Sequence, residues 1–435
     1  MPNPRTLLAI PLAVALIGLT SASAPPAGKP ATDATLPLLV TRGKAPAAAL
    51  LAREAPWSTT EPGAPAAQPD RQAAQRPLWH FAHVNQPTVD DTTPPADINP
   101  TPDTDPESDI ATHTNVVSKT ATGSPSDARN TDSDSDADTE TDNGAATRIR
   151  RTDHFRAGSI TKTFIATVVL QLAAEHRLSL SDPVERHLPG LIRAKDSEND
   201  KSTKGLDGRT LTLRALLTHT SGLADYTSAT KGLVPLTPSE AVRTALTLPT
   251  TAPGRWSYSN TNYVVLGMVI KQVTGRSYAA ETARRIITPL RLSGTSFPGT
   301  RSTLPSPHGR AYTHQGRDVT ALNPGVAGAA GELISTLTDL DRYYAALLAG
   351  RLLPAPQLRQ MLNTRAAEGH YGMGLYPQKL PCGTTVWGHN GRIPGSYVRT
   401  AATRDGDRVL TFRVNTDEIA DPALERTLLT AEFCS

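Results

Sequence analysis

The apolar positions of the chain predict helices in its middle and strands toward both ends. Over residues 160–176 apolar side chains recur at three- and four-residue spacing, which indicates a helix. The same spacing predicts further helices at 211–217, 238–248, 263–273, 278–287, 338–349, 356–361 and 422–433. Short apolar runs bounded by turn residues predict strands at 46–52, 77–84, 384–388, 397–402 and 408–415. This order favours one sheet built from early and late segments, with a helical lobe beside it.

The first 24 residues have the pattern of an export signal. Arg5 supplies a positive charge, residues 7–19 form an apolar stretch interrupted by Pro11, and small residues follow at 21–24. We expect cleavage after Ala22 or Ala24; a buried apolar N-terminal helix is the alternative. Because the apolar stretch is shorter than the roughly 18 residues that span a bilayer, we expect a secreted protein without a permanent membrane span.

Charge is distributed unevenly along the chain. The formal net charge is +3, yet residues 90–142 contain 14 acidic residues against two basic ones, so a uniformly basic surface for nucleic acid is not expected. The segment 85–144 also lacks aromatic residues and cannot bury enough apolar surface to offset its ordering entropy. We therefore predict a disordered acidic insertion there. Its alternating acids are a poor calcium loop because no glycine stands at the sixth position.

These boundaries divide the chain into four parts. They are the signal (1–24), an N-terminal helix and strand part of the sheet lobe (25–84), the acidic insertion (85–144) and a globular domain (145–435).

Cys382 and Cys434 are the only cysteines, 52 positions apart. In an exported protein two cysteines are expected to form a disulfide, with two unpaired thiols as the alternative. Two cysteines cannot form a cysteine-rich zinc site, and the histidines show no metal-ligand spacing such as H-E-x-x-H. We therefore expect no metal.

Ser159 and Lys162 form the first candidate pair of reactive groups. Gly158 and Ser159 start the predicted helix, so the serine lies in its first turn, where its backbone N–H is free. Lys162 follows three residues later on the same face. A serine beside a partly desolvated lysine is a nucleophile with its base. Alone, however, a serine N-cap followed by a surface lysine is common, so the pair needs partners elsewhere.

Tyr258 and Asn260 follow a Pro-Gly turn, just before the helix predicted at 263–273. A phenol on such a loop can relay a proton, and an asparagine amide can both donate to and accept from a substrate amide. A packed tyrosine and an asparagine cap would explain the same residues.

His389 and Gly391 follow the strand predicted at 384–388. A polar side chain facing a cleft, with glycine two positions on for close backbone approach, suits an edge strand beside a substrate. The N–H of Arg392 would join that of Ser159 as an oxyanion hole. An Asn-Gly turn preceded by an incidental histidine is the alternative.

In this order, the three sequences Ser159-Ile160-Thr161-Lys162, Tyr258-Ser259-Asn260 and His389-Asn390-Gly391 resemble the S-x-x-K, S-D-N and K-T-G signature of penicillin-interactive serine enzymes. The chain is similar to secreted serine D-alanyl-D-alanine carboxypeptidases and class C β-lactamases. Further similar segments are 155–162, 216–223, 332–340 and Cys382-Gly383. The resemblance spans about 148–435, with a weaker continuation in 32–84.

The resemblance implies an α/β fold of the α+β type, with an antiparallel-sheet lobe beside an all-helical lobe and the site at their junction. Residues 145–435 would then be the catalytic domain. Ser159 would attack a carbonyl and form an acyl-enzyme, and Lys162 and Tyr258 would handle protons. Asn260 would hold the substrate amide, and His389 would line the far wall. No cofactor is implied.

The implied function is a D-Ala-D-Ala carboxypeptidase acting on peptidoglycan stem peptides or a small acyl substrate, with β-lactams as inhibitors and a monomer as the expected state. Two departures from the family matter. Asn390 stands where relatives have Ser or Thr that touches the substrate carboxylate, and residues 374–380 contain no arginine. Lys379 or Arg392 would have to bind that carboxylate. An esterase, a D-amino-acid amidase or a β-lactamase on the same scaffold, or a non-catalytic penicillin-binding relative, are the alternatives.

Overall fold

A six-stranded antiparallel sheet combines two strands from the first quarter of the chain with four strands from its last quarter. The computed structural model describes residues 30–54, 78–85, 149–193 and 206–434. The strands in these ranges are β1 (Ala47–Glu54), β2 (Leu78–Asn85), β3 (Phe155–Arg156), β4 (Ile334–Ser335), β5 (Tyr376–Lys379), β6 (Thr385–Ile393), β7 (Ser396–Ala402) and β8 (Arg408–Val414). The sheet order is β2-β1-β8-β7-β6-β5, and β3 pairs with β4 separately. The predicted signal, and the predicted insertion beyond Asn85, lie outside the described residues.

Helices cover both faces of this sheet and fill the chain between β3 and β4. They are α1 (Pro30–Thr41), α2 (Thr161–Ala174), α3 (Val184–His187), α4 (Leu213–Leu217), α5 (Thr227–Thr230), α6 (Pro238–Ala245), α7 (Asn260–Thr274), α8 (Tyr278–Thr282), α9 (Leu337–Leu348), α10 (Ala355–Met361) and α11 (Ala423–Phe433). Each predicted helix corresponds to one of them, within a few residues at the ends, except that the helix predicted at 278–287 is divided into α8 and a π-helical turn, Ala283–Ile287.

The first strand shows why the sheet needs a helix layer on each face. In β1 alternate side chains point to opposite faces, and all but its last residue are buried. Ala48 and Leu50 pack in one apolar cluster with α1 and α11. Ala49 and Leu51 belong to the larger cluster on the other face, which includes α2 and α9. The strand is therefore apolar throughout rather than alternating.

Helix α2 lies at the centre of the larger cluster. All its residues from Thr161 to Leu170 are buried, and so is Leu172. A helix that is buried nearly all round is largely apolar, and the buried hydroxyls of Thr163 and Thr167 form hydrogen bonds with Tyr344 and Tyr343. The buried position also holds the start of α2 in place, two residues after Ser159.

The strand at the third motif is longer than its sequence predicted. The prediction ended at residue 388, whereas β6 continues to Ile393 and pairs with β7 throughout, from Trp387↔Ala402 to Ile393↔Ser396. The Asn390-Gly391 pair is therefore part of a strand, and the alternative of an Asn-Gly turn is wrong. Pairing with β7 supplies the tertiary contacts that override the local turn preference.

A disulfide joins Cys382, between β5 and β6, to Cys434 at the end of α11, with the two Cα atoms 5.7 Å apart. The predicted pairing is confirmed. Within the described ranges, no helix is both long and apolar enough to cross a membrane.

Candidate active site

Ser159 lies in a 3₁₀ turn, Gly158–Ile160, that leads directly into α2. One helical turn later, Lys162 Nζ donates a hydrogen bond to Ser159 Oγ at 2.9 Å. The structure therefore brings together the alcohol and the amine that the sequence placed three residues apart.

Lys162 is completely buried and all three of its ammonium N–H groups have acceptors. Besides the serine, Nζ donates to Asn260 Oδ1 at 2.7 Å and to the carbonyl of Ala330 at 2.6 Å. Burial lowers the pKa of Lys162 to about 7, and the charge of Asp225 partly opposes that shift. Near neutral pH a substantial fraction of this amine is therefore unprotonated and can accept the serine proton.

Tyr258 donates its hydroxyl hydrogen bond to Ser159 Oγ at 3.0 Å. Burial raises the pKa of this phenol well above its usual value, although its bond to Ser159 opposes the shift. The phenol therefore stays neutral at physiological pH and acts as a hydrogen-bond donor. Its ring also lies beside Lys162, with Nζ 5.0 Å from the ring centroid.

Asn260 is the first residue of α7 and its side-chain amide is fixed on both sides. Its Oδ1 accepts from Lys162, and its Nδ2 donates to Asp225 Oδ2 at 2.9 Å. Asn260 therefore lies beside the lysine that contacts Ser159. In this structure, however, the amide links the lysine to a carboxylate, a contact that the sequence did not predict.

The second half of β6 lies beside the turn that contains Ser159, Gly158–Ile160, and one of its edges is not paired with β5. Strand β5 pairs with β6 only from Thr385 to Gly388, so the edge beyond that point faces the cleft. A Cβ added to Gly391 would lie 1.9 Å from the carbonyl oxygen of Ala157, and one added to Gly158 would lie 2.8 Å from the nitrogen of Arg392. Glycine at both positions is what allows this approach.

His389 is buried and its Nε2 forms a hydrogen bond with the Tyr371 hydroxyl at 2.8 Å. Burial, and then the charge of Lys162, lower the pKa of His389 to about 3, so the imidazole is neutral. Asn390 accepts from the Tyr376 hydroxyl at 3.2 Å. Arg392 donates to Glu418 Oε2 at 2.7 Å and is exposed.

A cleft of about 410 Å³ opens over these groups. Ser159, Asn260 and Arg392 line it, together with the charged side chains Lys231 and Asp417. A second, more apolar cavity of about 430 Å³ lies between α6, α7 and α8, and none of the predicted site residues line it. The cleft is therefore where a substrate would meet the serine.

Sequence reasoning missed several residues that contact the site. Asp225, the carbonyl of Ala330 and the ring of Tyr371 belong to segments to which no role was assigned. His219 lies in the segment 216–223, which resembles the family, and its ring centroid is 4.3 Å from that of Tyr258. The similarity of that segment to the family was the one feature of the sequence that could have pointed to His219.

Comparisons with known proteins agree with this geometry. The family model described as β-lactamase matches residues 135–434. PbpX of Bacillus subtilis (strain 168), which is named as a penicillin-binding protein, is 27% identical over 264 residues, covering 60% of this chain and 62% of that protein. The teichoic acid D-alanine hydrolase of Staphylococcus aureus (strain MRSA252) is 27% identical over 233 residues, covering 51% and 53%. The chain thus spans between half and two thirds of the length of these relatives.

Among solved structures, a D-stereospecific amidohydrolase from Streptomyces sp. is 34% identical, with a TM-score of 0.67 over 94% of this chain and 99% of that chain. The D-amino acid amidase of Ochrobactrum anthropi SV3, solved with L-phenylalanine amide, is 20% identical, with a TM-score of 0.63 over 92% and 97%, and supports the fold alone. The expected fold class, an antiparallel sheet flanked by helices, is confirmed. The chain belongs to the β-lactamase family of serine hydrolases.

Proposed function

We propose that the protein hydrolyses amide bonds of D-configured amino-acid derivatives through an acyl-enzyme at Ser159. The observation that carries the proposal is the meeting of Ser159 Oγ with Lys162 Nζ and the Tyr258 hydroxyl, at 2.9 and 3.0 Å. The similarity to the D-stereospecific amidohydrolase, at 34% identity over 94% of the chain, supports the D-configured substrate.

In the acylation step, Ser159 Oγ attacks the substrate carbonyl and its proton passes to the neutral amine of Lys162. The tetrahedral intermediate then collapses, the C–N bond breaks, and the leaving nitrogen takes the proton from the Lys162 ammonium, which leaves the amine neutral again. Lys162 Nζ and the Tyr258 hydroxyl each donate to Ser159 Oγ, so both groups lie beside the reacting oxygen.

The negative charge of the intermediate needs donors on the β6 side of the serine. Gly158 approaches β6 closely at the backbone nitrogen of Arg392. The N–H groups of Ser159 and Arg392 would therefore be the two donors to this charge. In deacylation, water replaces the serine as nucleophile and gives its proton to Lys162. The C–Oγ bond then breaks, the Lys162 ammonium returns that proton to Ser159 Oγ, and the carboxylic acid is released.

One charged side chain of the cleft, Asp417, suits a substrate with a free amino group. Arg392 is already paired with Glu418, so a substrate carboxylate would have to compete for it. Lys379, the other candidate partner for a carboxylate, is exposed on β5 and is not among the residues that line the cleft. Asp417 does line the cleft and offers a carboxylate to a substrate ammonium group.

A D-Ala-D-Ala carboxypeptidase is the second candidate function. Lys231 lies exposed in the lining of the cleft, where its ammonium could receive a terminal carboxylate. The similarity to PbpX points in the same direction.

Three substrates separate these functions: D-alanine p-nitroanilide, its L-enantiomer, and a diacyl-Lys-D-Ala-D-Ala tripeptide. We expect the D-anilide to be cleaved at least about tenfold faster than the L-anilide, and the Ser159→Ala variant to be inactive on both. Faster release of D-alanine from the tripeptide would establish the second candidate instead. Equal cleavage of the two anilides, or undiminished activity of Ser159→Ala, would contradict the proposal.

A further inference from the structure

His219 is a buried histidine next to the reactive groups that the proposed chemistry leaves without a role. It follows the short helix α4 and has a left-handed backbone, with φ of 57°. Its side chain is completely excluded from solvent. A non-glycine residue in this conformation is uncommon, and the conformation costs free energy that surrounding contacts must offset.

The contacts of His219 fall on both sides of Tyr258. Its backbone carbonyl accepts from the N–H of Ser257 at 2.8 Å, and its ring Nδ1 accepts from the N–H of Ser259 at 3.2 Å. The same Nδ1 accepts from Asn262 Nδ2 at 3.0 Å. One residue therefore holds the chain immediately before and immediately after the tyrosine.

The ring of His219 also packs against the phenol itself. The two ring centroids are 4.3 Å apart and the planes are inclined by 31°. The imidazole and the Tyr371 ring form a T-shaped contact, with centroids 4.8 Å apart. His219 thus holds Tyr258 in place through hydrogen bonds to the residues on either side of it and through a ring contact.

The protonation state of His219 follows from these bonds. Because Nδ1 accepts two N–H groups, the proton of the neutral ring resides on Nε2. Burial, and then the charge of Lys162, hold the pKa of His219 well below its usual value. Within the described part of the chain, Nε2 has no hydrogen-bond partner. A buried N–H without a partner costs stability, so stability alone does not explain a histidine here.

We propose that His219 is a positioning residue that holds the Tyr258 hydroxyl in line with Ser159 Oγ by fixing the backbone on both sides of the tyrosine. The inference rests on the proposed acyl-enzyme function. Displacement of a catalytic group by about 1 Å can cost on the order of a hundredfold in rate, so the accuracy of this placement matters.

Two amide variants of similar size provide the test. His219→Asn places a carbonyl oxygen near the position of Nδ1, and asparagine tolerates positive φ. His219→Gln places its amide near the position of Nε2 and leaves Ser259 N–H and Asn262 without that acceptor. Each is made in the wild type and in a Tyr258→Phe background. The readouts are the rate of Ser159 labelling by a fluorophosphonate, and kcat and KM for D-alanine p-nitroanilide.

We expect His219→Gln to lower the labelling rate and kcat by about 10- to 100-fold with KM changed less than about threefold. His219→Asn should retain at least about a third of the wild-type rate. In the Tyr258→Phe background, which lacks the hydroxyl to be positioned, both variants should change the rate less than about twofold. His187→Asn is the matched control, because it alters a buried histidine that pairs with Asp182 away from the cleft. It should lower Tm without changing kcat.

Loss by the same factor in both backgrounds, or equal rates for the asparagine and glutamine variants, would overturn the inference. If His219→Gln does not fold, a His219→Asn variant that still loses more than about tenfold in the wild type would have the same consequence. Failure of the proposed function is recognised separately: without acyl-enzyme chemistry the wild-type protein is not labelled at Ser159, and without D-amidase activity it is labelled but does not cleave D-alanine p-nitroanilide.

Discussion

The charge on Lys162 sets the expected pH dependence of the reaction. Burial lowers its pKa to about 7, and only the neutral amine can accept the serine proton. We therefore expect kcat/KM for an N-acylated ester, which does not itself titrate, to rise with pH and level off above an apparent pKa of about 7. His389 does not produce this limb, because its pKa is about 3. A profile that is flat from pH 5 to pH 9 would contradict the assignment of Lys162 as the base.

The same shift affects stability in a defined direction. The unfolded chain keeps the lysine protonated up to its ordinary pKa of 10.5, whereas the folded chain releases that proton near pH 7. The unfolded state therefore binds more protons within this window, and the contribution of Lys162 to stability rises with pH across it.

Asp417 provides a test of the substrate amino group at the residue scale. It lines the cleft, and its Oδ1 accepts from the backbone N–H of His314 at 2.7 Å. We expect Asp417→Asn to raise KM for D-alanine p-nitroanilide about tenfold, because a charge-assisted contact to the ammonium becomes a neutral one. KM for the N-acetylated anilide should not change. An equal effect on both substrates would exclude a contact between Asp417 and the ammonium group.

At the scale of elements, the site depends on the close contact between β6 and the turn before α2. A Cβ added at Gly391 would lie 1.9 Å from the carbonyl oxygen of Ala157, so one of the two segments must move. We expect Gly391→Ala to lower kcat by at least about a hundredfold, because the oxyanion donors no longer meet.

The control is Gly316→Ala, in an exposed turn with φ of 84° and open space around the added Cβ. It should cost about 1 kcal/mol of unfolding free energy through backbone strain and leave kcat unchanged. Wild-type kcat in Gly391→Ala would show that the contact between β6 and the serine turn has no part in the reaction.

The elements also show how far the sequence could predict the site. Ser159 and Lys162 are related by one helical turn, so local geometry alone predicts their contact. The partners of Lys162 could not be predicted this way, because Asn260 and the carbonyl of Ala330 are brought to it only by tertiary packing. For the same reason the length of β6 was underestimated: Asn-Gly favours a turn locally, whereas pairing with β7 extends the strand.

At the scale of the whole molecule, the disulfide ties the last helix to the sheet. Cys382 and Cys434 are 52 residues apart, and closing a loop of that length stabilises the fold by about 4 kcal/mol in the chain-entropy model. We expect replacement of both cysteines by serine to lower the unfolding free energy by about 2–4 kcal/mol, measured by denaturant titration. Because the bridge lies away from the cleft, kcat at 25 °C should be unchanged. Unaltered stability would contradict a structural role for the bridge.

The most direct test of the whole account is the identity of the acylated residue. The protein is incubated with a fluorophosphonate, digested, and mapped by mass spectrometry beside the Ser159→Ala variant. We predict one adduct in the wild type, on the peptide that contains Ser159, and none in the variant. An adduct on another residue, or equal labelling of the variant, would contradict Ser159 as the nucleophile.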